Sequence, residues 1–142
     1  MKKVVLFILN LILVSCGASS SKTSGTNVLY EVLTQQADGG ASIRFFEILS
    51  EENEIAMLKN DEKLKEKIKP NDIQISNFVV LNMGEKTSGG YKISIESVVE
   101  TDKNIVISVK ETAPESGSMV TQEITTPYCV VKINSKKEII IK

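Results

Sequence analysis

The sequence predicts an α+β fold that is mainly β: an antiparallel β-sandwich or a strongly curved sheet, with one helical insertion at about residues 51–68. Three observations carry that reading. Most of the chain alternates apolar and polar residues with period two, the mark of half-buried strands. Short links rich in Gly, Asp and Asn separate the runs. A single stretch replaces the alternation with apolar residues three and four apart.

Taken in order, residues 28–34 and 42–49 flank Asp38-Gly39-Gly40 and predict a hairpin. Ser50 is placed to cap a helix over 51–59, with acidic residues 51, 52 and 54 favourable in its first turn and Ile55 and Leu58 on its apolar stripe. Asn60-Asp61 starts a further turn or two carrying Leu64 and Ile68, and Pro70 is expected to end the helical region. Phe78-Val79-Val80-Leu81 is apolar on both faces and predicts a central strand covered on both sides. Residues 91–100 put Tyr91, Ile93, Ile95, Ser97 and Val99 on one face; 105–112 put Ile105, Ile107 and Val109 inward. The polar link 101–104 joins these two runs as an antiparallel hairpin. A last hairpin is expected between 128–133 and 138–141. Alternation in the former sets Cys129, Val131 and Ile133 on one face and Tyr128, Val130 and Lys132 on the other.

Composition narrows the function. The 142 residues suit one domain and carry a net charge of −1, so a nucleic-acid partner, which needs a basic surface, is not expected. The chain has no His, which removes the commonest general base and metal ligand, and its two Cys are too few for a zinc site of N and S ligands. No catalytic residue, metal or cofactor is therefore expected, and the chain reads as a non-enzyme. Zero Trp and three Tyr weaken a sugar-binding reading, because flat aromatic platforms supply most sugar stacking. Cys129 falls among core positions and behaves as a small hydrophobe rather than a nucleophile. Ser19-Ser20-Ser21-Lys22 matches the S-x-x-K of acyl-transfer enzymes only formally, since it sits on a polar linker rather than at a helix start.

The N-terminus carries an address. Lys2-Lys3 precede an apolar run over 4–14, too short to span a bilayer comfortably, and Leu13-Val14-Ser15-Cys16 reads as a bacterial lipobox. Residues 1–15 are then a lipoprotein signal peptide and Cys16 the lipidated residue. Residues 16–27, rich in Ser, Thr and Gly, make a flexible tether to a single domain over 28–142. Each buried methylene contributes about 0.8 kcal/mol, and two or three acyl chains, palmitate among them, give stable attachment to the lipid bilayer. The expected location is the bacterial cell envelope. Gly17 rather than Asp after Cys16 favours the outer membrane over the inner where a cell has both.

Two loops stand out. Gly84-Glu85-Lys86-Thr87-Ser88-Gly89-Gly90-Tyr91 has glycines spaced somewhat like a phosphate loop, but it ends in Gly-Gly-Tyr and opens a strand rather than a helix. Its glycines read as a tight strand connection needing positive φ at one or both of Gly89 and Gly90, and alternation sets the Tyr91 ring toward the core. Residues 112–118, with Pro114 and Gly117, continue into Met119-Val120-Thr121-Gln122 and on to Pro127-Tyr128.

On these residues the chain resembles the PrcB C-terminal domain family, named after a protease-complex-associated bacterial lipoprotein. The resemblance runs over 72–134. It rests on Gly84, on Ser88-Gly89-Gly90-Tyr91-x-Ile93-x-Ile95, and on the strand from Val106 to Thr112 closing on Pro114. It continues through Met119-Val120-Thr121-Gln122 to Pro127-Tyr128-x-Val130-Val131-x-Ile133. It implies association with, and stabilisation of, an envelope protease; with the lipobox and the missing His, the chain reads as a non-catalytic, membrane-anchored module that binds an envelope protein. The partner-binding loops would present Gly84, Lys86, Ser88, Gly89, Gly90, Tyr91, Pro114, Gly117, Met119, Pro127 and Tyr128. Two alternatives stand beside it. One is a protease-inhibitor-like module that inserts these loops into a cleft. The other is a carrier of a small apolar ligand held between sheet and helix, which predicts an apolar pocket there.

Overall fold

The computed structural model describes residues 28–142, so Cys16, the lipobox, the tether and Ser19–Lys22 lie outside the described residues. Seven strands and two short helices follow in the order β1 (Tyr30–Gln36), β2 (Phe45–Leu49), α1 (Glu52–Leu58), α2 (Asp72–Ile75), β3 (Asn77–Asn82), β4 (Lys92–Glu100), β5 (Asn104–Thr112), β6 (Tyr128–Ile133) and β7 (Glu138–Ile141). They form a four-stranded sheet, β1-β6-β3-β2, and a three-stranded sheet, β4-β5-β7. All pairings are antiparallel except β5 with β7. The fold is α+β and mainly β, as the alternation predicts, and takes the sandwich form. Among the described residues no helix is long and apolar enough to cross a membrane.

The most apolar runs occupy the middle. In β3, Val79 and Leu81, followed by Met83, face the second sheet, where Ile93, Ile105, Ile107 and Ile139 meet Cys129, Val131 and Ile133 of β6. The opposite face of the same sheet carries Phe78, Val130, Leu33, Leu49 and Tyr128, covered by Ile55, Leu64 and Ile68 from the helical segment. A four-residue run apolar on both faces is stable only where both faces are buried, and here one face has a sheet on it and the other a helical layer. Expected core residues Ile93, Ile107, Val79, Leu81, Val131 and Ile133 are buried, while Ile95 and Val109 pack against the core half-buried.

Several local expectations are corrected. Residues 28–34 and 42–49 do not form a hairpin: β1 pairs with β6 and β2 with β3. The two central strands pair with each other, which leaves β1 and β2 at opposite edges of the sheet. The second expected hairpin fails for the same reason. Both neighbours of β6 are already β1 and β3, so β7 crosses to the other sheet and lies parallel to β5. In β4 the alternation breaks at a bulge between Ile95 and Ser97, so Val98 packs on the core and Val99 is 54% exposed. Glu51, not Ser50, is the N-cap of α1, and the Glu54 carboxylate accepts the N–H groups of Ser50 and Glu51. Pro70 does not end the helical region, because α2 follows it. The turn at Asn60-Asp61 forms as expected, with Asp61 Oδ1 accepting the Lys63 N–H at 2.7 Å.

Strand directions sort the connections into two poles. One pole holds the links 37–44, 83–91 and 113–127. The other holds 50–76, 101–103 and 134–137, together with the point where the described chain begins at Val28.

Candidate functional site

The first pole gathers both sequence-predicted loops and a third segment. Each of its connections joins strands that are not neighbours, so none can close as a tight hairpin, and their backbone polar groups must find partners in one another. Lys86 and Thr125 exchange a pair of backbone bonds, Lys86 N–H to Thr125 O at 2.8 Å and Thr125 N–H to Lys86 O at 3.0 Å. Gly89 N–H donates to Thr121 O at 3.0 Å, and the Thr125 hydroxyl donates to Ser88 O at 2.8 Å. The loops 84–91 and 112–127 therefore run side by side as one unit.

The third segment, 37–44, is tied in by side chains that the sequence did not single out. Asn82 is buried and its amide is fully used, accepting from Ala41 N–H at 2.9 Å and donating to Ala41 O at 2.8 Å and Ile43 O at 2.6 Å. Asp38 Oδ1 accepts both the backbone N–H and the hydroxyl of Thr126, each at 2.9 Å. Those bonds, the backbone one first, together with the Gly39 N–H, hold its carboxyl below the usual aspartate value. Glu85 N–H reaches Ser42 O at 2.9 Å. An Asn at a strand end and an Asp before two glycines are weak signals, because each serves local turns as often as long-range ties.

The glycines divide by role. Gly90 has φ +88°, and a Cβ there would stand 2.7 Å from Pro114 Cβ and 3.0 Å from Val120 Cγ1. Gly84 has φ +77° and would put a Cβ 2.9 Å from the Arg44 backbone nitrogen. Gly89 needs no positive φ, but a Cβ there would stand 2.4 Å from the Thr121 hydroxyl. Gly117, at φ +80°, meets nothing within 4 Å: it turns the exposed tip, where Ser118 N–H and hydroxyl both donate to Glu115 O.

The expected site residues fall into two groups. Met119 is fully exposed at 102%, and Lys86, Ser88, Gly89, Gly90, Pro114 and Gly117 lie at or near the surface. Gly84, Pro127 and Tyr128 are buried beneath them. Tyr128 packs into the helix-side core; burial pushes its phenol up, and the nearby Asp61 charge adds to this against a hydrogen bond to Thr34. Tyr91 is half-buried against the sheet-to-sheet core, with Lys86 Nζ 5.7 Å from its ring centre. Ile124 and Ile43 are exposed on the adjoining segments of the same pole. Cys129 is buried in the sandwich, and burial raises its thiol to about 11, which leaves it un-ionised at neutral pH.

Beside Gly90 lies a cleft of about 430 Å³ lined by Gln35, Gln36, Ala37, Gly90, Tyr91 and Lys92. It opens between the end of β1 and the start of β4. The space between sheet and helices, where the carrier reading needs an apolar pocket, is filled by Ile55, Leu64, Ile68 and Phe78.

Comparison with known proteins returns one family. Residues 77–134 match the family model described as PrcB C-terminal. No curated protein and no solved structure matches the chain. The matched segment opens on β3 and closes just after β6, the two central strands, and encloses β4, β5 and both interlocked loops. The chain is thus similar to the PrcB C-terminal family over 77–134, the stretch from β3 to the end of β6.

Proposed function

We propose that this chain is a non-catalytic, lipid-anchored module of the bacterial cell envelope that binds a protease and stabilises it, with the loops 84–91 and 112–127 as its contact surface. The observation that carries this is that the family segment contains both loops, bonded to each other and topped by the exposed Met119 and Ile124. The family name suggests association with a protease complex. Strand direction adds support: Val28 and Leu29 are bonded to Asn134 at the far pole, so a chain arriving from Cys16 enters the domain at the end opposite the loops and leaves them uncovered. The non-catalytic reading is supported by the absence of His from the sequence and the buried, un-ionised Cys129.

The test is site-specific photocrosslinking in intact envelopes, with the probe at Met119 and, as control, at Val99 near the opposite pole. Recurrent capture of one protease from position 119 alone is the expected result. Capture of no protease, or equal capture from both positions, overturns it. Cys16→Ser should remain unlabelled by a fatty-acid analogue, and equal labelling would remove the anchor. An inhibitor-like action is favoured by the free-standing Gly117 tip. Protease half-life and turnover measured with and without the chain separate stabilisation from inhibition.

A further inference from the structure

We propose that the cleft between β1 and β4 is a strand-addition site for the C-terminal end of an extended polypeptide. The peptide would run antiparallel to β4, with its free carboxylate at Gly90–Lys92. The idea deepens the protein-binding reading by giving the partner's chemistry at the edge of the same loop unit.

The argument begins with edges. Each sheet is open, so β1, β2, β4 and β7 each pair on one side only. Native sheets blunt such edges with short strands or with lysines. β7 has four residues and β2 five. The edge of β1 is met at Leu33 O by Lys67 Nζ. β4 is the longest edge, with nine residues, and the bulge between Ile95 and Ser97 leaves Lys92–Ile95, next to the cleft, as its regular stretch. One group on it is covered: Ile93 O accepts Gln35 Nε2 at 2.7 Å, so a side chain stands where a neighbouring strand's N–H would be.

That bond fixes which groups face outward. In an antiparallel strand the N–H and C=O of one residue point to the same side, and the side alternates along the chain. Ile93 therefore faces the open edge, Tyr91 by alternation does the same, and Lys92 and Ser94 bond to β5 opposite Thr112 and Lys110. The N–H of Tyr91 finds no acceptor among the described residues. The cleft lies directly against it, walled on the other side by Gln35, Gln36 and Ala37.

Charge selects the occupant. Lys92 is the single charged residue lining the cleft, and Lys86 stands over the Tyr91 ring beside it. Neither lysine forms an ion pair among the described residues. A free backbone N–H in a cleft whose one charged lining residue is Lys92, with a second lysine over the adjacent Tyr91 ring, suits a terminal carboxylate, while the edge beyond it supplies main-chain pairing. Antiparallel addition to β4 brings the incoming chain's C-terminus to this end.

The test uses the full chain and a pool of random octapeptides with free C-termini, against the same pool amidated. The expected result is selection from the free-acid pool only, with affinity falling about tenfold in Lys92→Glu. Gln35→Ala, which releases Ile93 O, should bind the selected peptides at least as tightly as the parent chain. Bound peptide should slow hydrogen exchange at the Tyr91 and Ile93 amides and leave Ser94, already bonded to β5, unchanged. No selection from either pool, equal binding of the amidated pool, or exchange protection elsewhere overturns the proposal. Protease capture at position 119 is a separate readout, so the two readings fail independently.

Discussion

The two poles of the sandwich are held by different chemistry. The loop pole is tied mainly through backbone groups and short side chains: Lys86 to Thr125 through main chain, Gly89 to Thr121, Asn82 to the 41–43 backbone and Asp38 to Thr126, with one exposed ion pair, Arg44 to Glu111. The far pole shares neutral ties such as Asn134 to Val28 and Leu29, and adds lysines to them. Lys136 Nζ donates to Ser50 O at 2.8 Å, Lys137 Nζ donates to Thr101 O at 2.9 Å and pairs with Glu100, and Lys132 reaches Asp72 and Glu31. Backbone ties through glycines allow close approach but no adjustment, whereas long cationic side chains reach across gaps and tolerate change. The rigidly tied pole leaves Met119, Ile124 and Ile43 on the surface, while the far pole leaves Val28, Met57, Ile75 and Val99 exposed. A recognition surface benefits from that rigidity, because ordering costs are met on folding rather than on binding.

The largest effect that probes this contrast lies at the one buried tie of the far pole. Lys132 is 7% exposed and stands 3.5 Å from Asp72 and 3.3 Å from Glu31. Asp72→Ala should cost about 3 kcal/mol in urea unfolding, since it leaves a buried ammonium with one exposed partner, and the double variant Asp72→Leu, Lys132→Met should recover most of it. A cost below half of that would place this pair with the exposed lysines.

Next come the glycines of the loop pole. Gly84→Ala must combine a left-handed backbone with a Cβ pressed on Arg44 nitrogen, and should lower stability by about 2 kcal/mol. Gly117→Ala has a similar φ and open space, so only the backbone term of about 1 kcal/mol should appear. Equal melting shifts in the two would mean that close approach does not stiffen this pole.

The Asp38 tie responds to acid. Its carboxyl sits below 3.8 in the folded chain because Thr126 donates to it twice, so its contribution is complete above that value and is lost as pH falls through the lower folded value. The stability difference between the parent chain and Asp38→Asn should therefore shrink below about pH 3.8 and be flat from there to neutrality. A difference that grows on acidification contradicts the tie. Smallest of all, Lys136→Ala removes an exposed bond at the far pole and should change the unfolding midpoint by less than about 0.5 kcal/mol.

The candidate surface was partly legible. Gly/Pro/Ser composition between confident strands marked 84–91 and 112–118, and the structure sets them side by side. Pro127 and Tyr128 were read with them yet lie beneath, because sequence adjacency to a loop does not reveal which way the next strand enters the core. Asn82 and Thr125 carry no signal in the sequence, Asp38 reads only as a hairpin turn and Thr121 only as part of the family resemblance. Their partners are distant in sequence, and a polar residue's type carries no record of what it will bond.

The sequence by itself determined the class of fold, the β4–β5 hairpin and the doubly buried β3. It also determined the two faces of β6 and the placement of Ile55, Leu64 and Ile68 against a core. Each of these follows from side-chain period and local turn chemistry, which act within a few residues. Only the tertiary structure decided strand order. Hairpin signals at Asp38-Gly39-Gly40 and Asn134-Ser135-Lys136 were overruled because β3 and β6, apolar on both faces, paired at the centre and left no vacant edge for their chain neighbours. It alone decided the flip at the β4 bulge, where one extra residue exchanged the faces of Val98 and Val99. It also decided that three crossing connections meet at one pole, since which ends of seven strands come together depends on the pairing of all of them at once.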